Sequence, residues 1–295
     1  MPRRLVVARV AGFCFGVKRA MDMVDAARRE REGTITTLGP IVHNQQVIGR
    51  MERGGVGTAA RLEEISGGTV VLSAHGVAPA IPLQARAQGL DVLDATCPFV
   101  TKVHRMAKLL LEQNYQILLV GDAGHTEVRG VMGAIEALGG AAIRVSSVED
   151  VRKLTLGKKV GILSQTTQNS ATFAAIVAEV CRTVPDVRAL NTICGATDEL
   201  QDAAADMARQ VEIAFVIGGR SSANTRRLRD LCEAQGIPAY HIETADEILP
   251  EWIAGKSVIG LTAGASTPDW IIEDVARSLH GGSLPDDWQL NHPEE

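Results

Sequence analysis

Three cysteines in this 295-residue chain, Cys14, Cys97 and Cys194, each open a copy of the same unit, and that repetition limits the chain to folds that use one supersecondary unit three times. Counted from each cysteine, offsets +6, +9, +10 and +13 are apolar in every copy: Ala20, Met23, Val24, Ala27; Val103, Met106, Ala107, Leu110; Leu200, Ala203, Ala204, Met207. That is the spacing of one buried helix face. An apolar run follows and ends in glycine, at Gly39, Gly121 and Gly218, with a polar residue four positions later, His43, His125 and Ser222. A later run closes on leucine and a hydroxyl: Leu72-Ser73, Leu163-Ser164, Leu261-Thr262. The copies start 83 and 97 residues apart (97 − 14 and 194 − 97), a domain-sized period rather than a solenoid one.

The pattern predicts strands at 5–10, 34–38, 69–73, 91–94, 116–120, 141–145, 158–163, 187–190, 212–217, 237–241 and 256–261. Between them it predicts helices at 15–31, 45–53, 79–88, 99–113, 127–138, 169–183, 197–210, 224–235 and 268–279. Such alternation implies an α/β fold: three pseudo-symmetric α/β domains with small parallel sheets covered by helices. The expected domains are 14–96, 97–190, and 191–280 completed by the N-terminal strand 1–13, with 281–295 as a loose, acidic tail carrying two prolines. Ligands of such sheets bind beyond the carboxyl ends of the strands. The marked residues all fall at strand ends or helix starts, so three sheets aiming those edges at one axis would gather them.

Composition narrows the function. With 45% apolar residues the chain can bury several small cores, and no apolar run reaches membrane-spanning length. A net charge of −5 and 3% aromatics leave neither the basic nor the stacking surface of a nucleic-acid binder. Five cysteines, an odd number without a secretory leader, point to reduced thiols and a cytoplasmic protein.

No two of the repeated cysteines are close in sequence, so no local metal knuckle exists. A thiol at a helix N-terminus is helped to ionise, and thiolates bind soft metals. Three of them converging suit an iron–sulfur cluster or a zinc ion with one position left open for substrate. Cys181 and Cys232, outside the repeated position, are expected to pack in the core. The loops Gly39–Asn44, Gly121–Glu127 and Gly218–Asn224, with Ser73–Gly76, Ser164–Thr167 and Thr262–Ser266, combine small residues, helix-start amides and His, Ser, Thr and Asn side chains. They make a cradle for a phosphate or diphosphate. Helix capping accounts equally well for Ser164, Asn169 and Asn224 taken singly, and less well for the histidines. Glu127 is the one carboxylate in a first helical turn here and a candidate proton donor. His104, His241, His280 and His292 are expected at the surface, and Arg226, Arg227 and Arg229 on a solvated helix face, with docking of an acidic electron carrier as the alternative.

Seven segments in order, Gly12-Phe13-Cys14-Phe15-Gly16-Val17, Gly39-Pro40-Ile41-Val42-His43-Asn44, Ala74-His75-Gly76-Val77, Asp94-Ala95-Thr96-Cys97-Pro98, His125-Thr126-Glu127-Val128, Ser164-Gln165-Thr166-Thr167 and Thr262-Ala263-Gly264-Ala265-Ser266, resemble the motif series of the 4-hydroxy-3-methylbut-2-enyl diphosphate reductase family across about residues 5 to 280. The resemblance implies three α/β units arranged around a central 4Fe-4S cluster whose fourth iron takes the substrate's hydroxyl oxygen. It implies removal of that oxygen as water with two electrons and two protons, giving isopentenyl and dimethylallyl diphosphates, with ferredoxin or flavodoxin as donor. By matching position, Cys14, Cys97 and Cys194 would hold the cluster; His43, His75, His125, Ser222, Asn224 and Ser266 would bind the diphosphate; Glu127 would supply protons with Thr166 and His125. Three positions depart from the family pattern: Ala223 replaces a serine, Leu200 an arginine and Thr126 a proline. Ala223 and Leu200 motivate the alternatives of a cluster-bearing diphosphate sensor or a reductase of a related allylic substrate. A three-thiolate zinc hydrolase is the remaining one.

Overall fold

The computed structural model describes residues 3–293. In chain order its elements are β1 (Arg4–Val7), α1 (Phe15–Glu30), β2 (Ile35–Leu38), α2 (Gln45–Arg53), β3 (Val56–Ala59), β4 (Thr69–Leu72), α3 (Ala80–Ala87) and β5 (Asp91–Asp94). They continue with α4 (Pro98–Glu112), β6 (Gln116–Val120), α5 (Thr126–Ala137), β7 (Ala142–Val145), α6 (Val148–Arg152), β8 (Lys159–Ser164), α7 (Ser170–Cys181) and β9 (Asp186–Ala189). The last group is α8 (Gly195–Ala208), β10 (Ile213–Ile217), α9 (Ala223–Ala234), β11 (Ala239–Ile242), α10 (Pro250–Ile253), β12 (Val258–Ala263) and α11 (Asp269–His280).

These strands form three four-stranded sheets, ordered β3-β2-β4-β5, β7-β6-β8-β9 and β11-β10-β12-β1, and every pairing is parallel. The three orders are one topology repeated. β1 fills in the third sheet the edge that β5 and β9 fill in the others, so each repeated cysteine follows the edge strand paired with the last central strand of its sheet. The central strands carry the longest apolar runs because helices cover both faces: Thr69–Leu72, Ile213–Ile217 and the last five residues of Lys159–Ser164 are buried throughout.

By compactness the chain forms two units. One comprises Met1–Lys18, Val42–Arg50 and Gly195–Glu295 and contains the sheet closed by β1. Its core has two faces, one built with Leu200, Ala203, Ala204, Met207 and Leu228 of α8 and α9, the other with Ile271, Ile272, Val275 and Leu279 of α11. The other unit, Arg19–Ile41 and Met51–Cys194, contains the remaining two sheets. There α4 and α5 cover one face of the β6–β8 sheet through Val103, Leu110, Val131 and Ile135, and α7 covers the opposite face through Phe173, Ile176 and Val180.

Three elements lie outside the sequence expectation: β3, α6 and α10. β3 reads Val-Gly-Thr-Ala with only its ends buried, so it carries no apolar alternation to announce it; the two helices span five and four residues, too short for a periodicity. The tail is the larger departure. Rather than a loose extension, residues 284–292 pack Leu284, Trp288 and Leu290 against the α11 side of the core and hydrogen-bond to Arg9 and Ala11. An apolar residue every few positions, hidden among prolines and acids, provides the anchorage.

Candidate active site

Each repeated cysteine stands at the head of a helix with its backbone N–H tied to the loop beyond a central strand. The bonds are Cys97 N to Ala74 O (3.0 Å), Cys194 N to Thr166 O (3.0 Å) and Cys14 N to Ala265 O (3.1 Å). Cys14 and Cys97 also offer the carbonyls that accept the first helical bonds, from Lys18 and Thr101. Cys97 is the N-cap of α4, with Pro98 in the first position where no N–H is needed. Burial pushes the Cys97 thiol up, Glu127 adds to this, and the Phe99 and Val100 amides and Arg19 pull the other way. The helix-start amides do aim at the sulfur, as the sequence predicts, but burial outweighs them. All three sulfurs belong to partly exposed residues.

Glu127, in the first turn of α5, is 2% exposed. Its Oε1 accepts the Thr166 N–H and its Oε2 accepts the Thr166 hydroxyl, both at 2.7 Å. Thr166 O in turn accepts the Cys194 N–H, so one threonine links the buried carboxyl to a repeated cysteine. Gln165, to which the sequence assigns no role, locks this loop to the neighbouring one: its Oε1 accepts the Asp122 N–H at 2.9 Å and its Nε2 donates to Thr167 Oγ1 at 2.7 Å. Its place between Ser164 and Thr166 was the available signal.

His125 is the N-cap of α5, its Nδ1 accepting the Glu127 N–H at 3.2 Å, so capping does explain this histidine in part. Its ring meets that of His75 edge-on, 5.9 Å between centroids. The His75 loop is gripped from two helices. A Cβ at Gly76 (φ 74°) would stand 3.0 Å from Val100 and 3.2 Å from Thr96, and one at Gly130 of α5 would stand 3.3 Å from Gly76 O. Only glycine fits both the left-handed backbone and that approach.

The other unit carries the remaining polar loops. Ser266 Oγ donates to His43 O at 3.3 Å, and a Cβ at Gly219 would fall 2.1 Å from the same carbonyl, so the backbone at His43 lies directly on the Gly219 loop. Asn44 caps α2, accepting from the amides of Gln46 and Val47. Ser222 caps α9, its Oγ accepting the Thr225 N–H at 3.2 Å and the Thr225 hydroxyl at 2.9 Å. Asn224 does not cap. It is 4% exposed in the first turn, and neither its Oδ1 nor its Nδ2 has a hydrogen-bond partner among the described residues. A buried amide in that state calls for a ligand rich in acceptors or donors. Burial first, and then Arg226, hold His43 below the ordinary imidazole range.

Several sequence expectations are corrected. His241 is not a plain surface residue: its Nε2 lies 2.8 Å from Gly218 O. His104 and His280 are partly buried, and His292 bridges Ala11 and Asp269. Cys232 is fully buried, its thiol pushed up to about 12 by burial, as core packing requires, whereas Cys181 ends α7 exposed. Asn169 is a cap for α7, while Ser164 instead donates to Gln165 O. Leu200 is fully buried in the α8 core. Of the α9 arginines, Arg229 pairs with Asp230 and Glu233, and in the preceding loop Arg220 pairs with Glu247.

Among the described residues no three His, Cys, Asp or Glu side chains are grouped to hold a single ion. No helix is long and apolar enough to cross a membrane.

The model of the LytB protein family matches residues 5–280. Curated relatives include the 4-hydroxy-3-methylbut-2-enyl diphosphate reductases of Aquifex aeolicus, 42% identical over 271 residues (92% of this chain, 94% of the relative), and of Geobacter sulfurreducens, 45% identical over 275 residues (93% and 96%). A solved (E)-4-hydroxy-3-methyl-but-2-enyl diphosphate reductase, described as the terminal enzyme of the non-mevalonate pathway, matches with a TM-score of 0.70 at 41% identity, covering 94% of this chain and 99% of that one. The E-1-hydroxy-2-methyl-but-2-enyl-4-diphosphate reductase of Plasmodium falciparum matches with a TM-score of 0.88 at 28% identity, covering 100% and 93%. Sequence and overall fold agree, and the chain belongs to the LytB family.

Proposed function

We infer that this chain reduces (E)-4-hydroxy-3-methylbut-2-enyl diphosphate to isopentenyl and dimethylallyl diphosphates. The allylic C–O bond breaks and a C–H bond forms; two electrons enter, one proton leaves with the oxygen as water and the other goes to carbon. The observation that carries the reading is the shared threonine: Thr166 holds the buried Glu127 carboxyl with its N–H and hydroxyl and holds the Cys194 backbone with its carbonyl. A proton source is thereby fixed relative to a metal-ligand candidate.

The chemistry of the donor set, three thiols, supports a 4Fe-4S cluster. Three thiols, each at a helix head and each anchored through its own N–H, match in number and type the ligands of such a cluster when one iron is left to the substrate. Cys14, Cys97 and Cys194 would hold it; when bound, the cluster supplies the electrons and a Lewis-acid iron for the departing oxygen. The amides of Phe99 and Val100 directed at Cys97 suit a thiolate in that role.

The diphosphate is assigned to His43, His75, His125, Ser222, Asn224 and Ser266. The buried, unsatisfied amide of Asn224 and the start of α9 support an anion there. Glu127 donates protons through the hydroxyl of Thr166, and His125, capping the same turn, keeps the carboxyl in place. The reaction is assigned to the cytoplasm, with ferredoxin or flavodoxin as the reductant. Protein purified without oxygen, loaded with iron and sulfide, and offered the hydroxylated allylic diphosphate with a strong reductant should release both C5 diphosphates. A loaded protein that forms neither would overturn the assignment.

A further inference from the structure

Residues 281–293 lie beyond the stretch that the family model matches, and no step of the reaction uses them. Asn291 and His292 are nevertheless hydrogen-bonded to the segment that leads from β1 to Cys14. After β1, the chain from Ala8 to Cys14 is held on one side by β12 and the loop beyond it: Ala8 N to Leu261 O (2.8 Å), Gly12 N to Ala263 O (3.3 Å) and Cys14 N to Ala265 O (3.1 Å). Its other side is the open edge of the sheet, where unpaired backbone groups need a cover. The tail provides it. Ala11 N donates to Asn291 O at 2.8 Å, Asn291 Nδ2 donates to Arg9 O at 3.2 Å, and His292 Nδ1 lies 3.1 Å from Ala11 O. The second ring nitrogen of His292 lies 3.3 Å from Asp269 Oδ1, in the first residue of α11. Gly12, two residues before Cys14, has φ 85°, and a Cβ there would meet Ile272 at 2.9 Å, Thr267 O at 3.0 Å and the His292 ring at 3.6 Å. A glycine so placed can pivot unless its neighbours prevent it.

We propose that Asn291 and His292 are positioning residues: they pin Arg9–Gly12 against β12 and α11 and so fix the direction in which the chain presents the Cys14 thiol. The inference rests on Cys14 being a cluster ligand, but its test does not depend on turnover. In the full-length, metal-free, reduced protein, the alkylation rate of each cysteine by iodoacetamide is read by peptide mass spectrometry, together with amide hydrogen exchange over residues 9–14. In the Asn291→Ala/His292→Ala double variant, Cys14 should react on the order of ten-fold faster and the exchange at 9–14 should rise, as a local opening becomes easier. Cys97 and Cys194 should keep their rates, and His292→Gln alone, which can still donate to Ala11 O, should stay near the parent. An unchanged Cys14 rate, unchanged exchange at 9–14, or equal acceleration at all three cysteines would overturn the proposal. A protein that lacks reductase activity yet shows the Cys14 response would defeat the reductase reading and leave this device standing.

Discussion

Thr166 gives both of its polar hydrogens to Glu127, N–H to Oε1 and Oγ1–H to Oε2, at 2.7 Å each. A carboxyl gripped at both oxygens cannot rotate, and at 2% exposure it cannot trade these bonds for water. Glutamine preserves this geometry, since its oxygen can accept the N–H while its amide donates to the hydroxyl. Glu127→Gln should therefore fold and load iron like the parent, yet lose turnover by about 10²- to 10⁴-fold, the range expected for a missing general acid. Turnover within a few-fold of the parent would remove Glu127 from the chemistry.

Thr166→Val keeps the backbone bonds to Glu127 and Cys194 and deletes only the hydroxyl. One oxygen of a buried carboxyl then loses its donor, a cost of about 1.5–3 kcal/mol in a denaturant titration if the carboxyl is ionised. Turnover should drop about 10- to 100-fold as the proton path loses its hydroxyl and alignment. Thr166→Ser should recover most of both. Full activity in the valine variant would show that the hydroxyl serves packing alone.

Asn224 offers the reverse case. Its amide is buried without a partner among the described residues, so Asn224→Ala should leave the stability of the ligand-free protein unchanged or slightly higher. KM should rise about ten- to hundredfold, the loss of a hydrogen bond to a charged group. A destabilised variant with an unchanged KM would mean that the side chain works in the fold rather than on the diphosphate.

At Gly219 the obstacle is backbone, not side chain. A methyl group there would collide with His43 O, and a carbonyl cannot swing aside as a flexible side chain can. Gly219→Ala should destabilise the protein by about 1–3 kcal/mol and raise KM, because the His43 segment must move to make room. Wild-type melting and KM together would contradict the close approach.

Three imidazoles give the fold an acid edge. His43 is held below the usual 6.5 by burial and by Arg226; His104 by burial, against the pull of Asp94; His241 by burial, against the Gly218 carbonyl. In each case the unfolded chain takes up a proton at a higher pH than the folded one. Stability is therefore level above about pH 6.5 and falls as the pH drops below it towards the folded values. Denaturant midpoints from about pH 8 to about pH 5 should show this slope, and His104→Asn with His241→Asn should flatten it. A parent midpoint independent of pH across that range would count against it.

Much of this was legible because the repeat is written in residue types. Apolar offsets after each cysteine mark helix faces, glycine ends the first strand after each cysteine, and most central strands are rich in apolar residues; burial on both faces requires these signatures locally. The parallel sheets and the list of cysteines, loop hydroxyls and Glu127 followed from that pattern and from the family motifs. What stayed hidden depends on contacts between residues far apart in the chain. No local pattern tells that Ser222 caps α9 while Asn224 does not, that Thr166 joins Glu127 to Cys194, or that Gly219 yields space to the His43 carbonyl. The tail shows the same limit: its prolines and acids describe a solvated extension, and only the unpaired backbone after β1 gives Asn291 and His292 their partners. Sequence determines which backbone conformations and burial patterns are affordable; the pairing of particular donors with particular acceptors waits for the chain to close on itself.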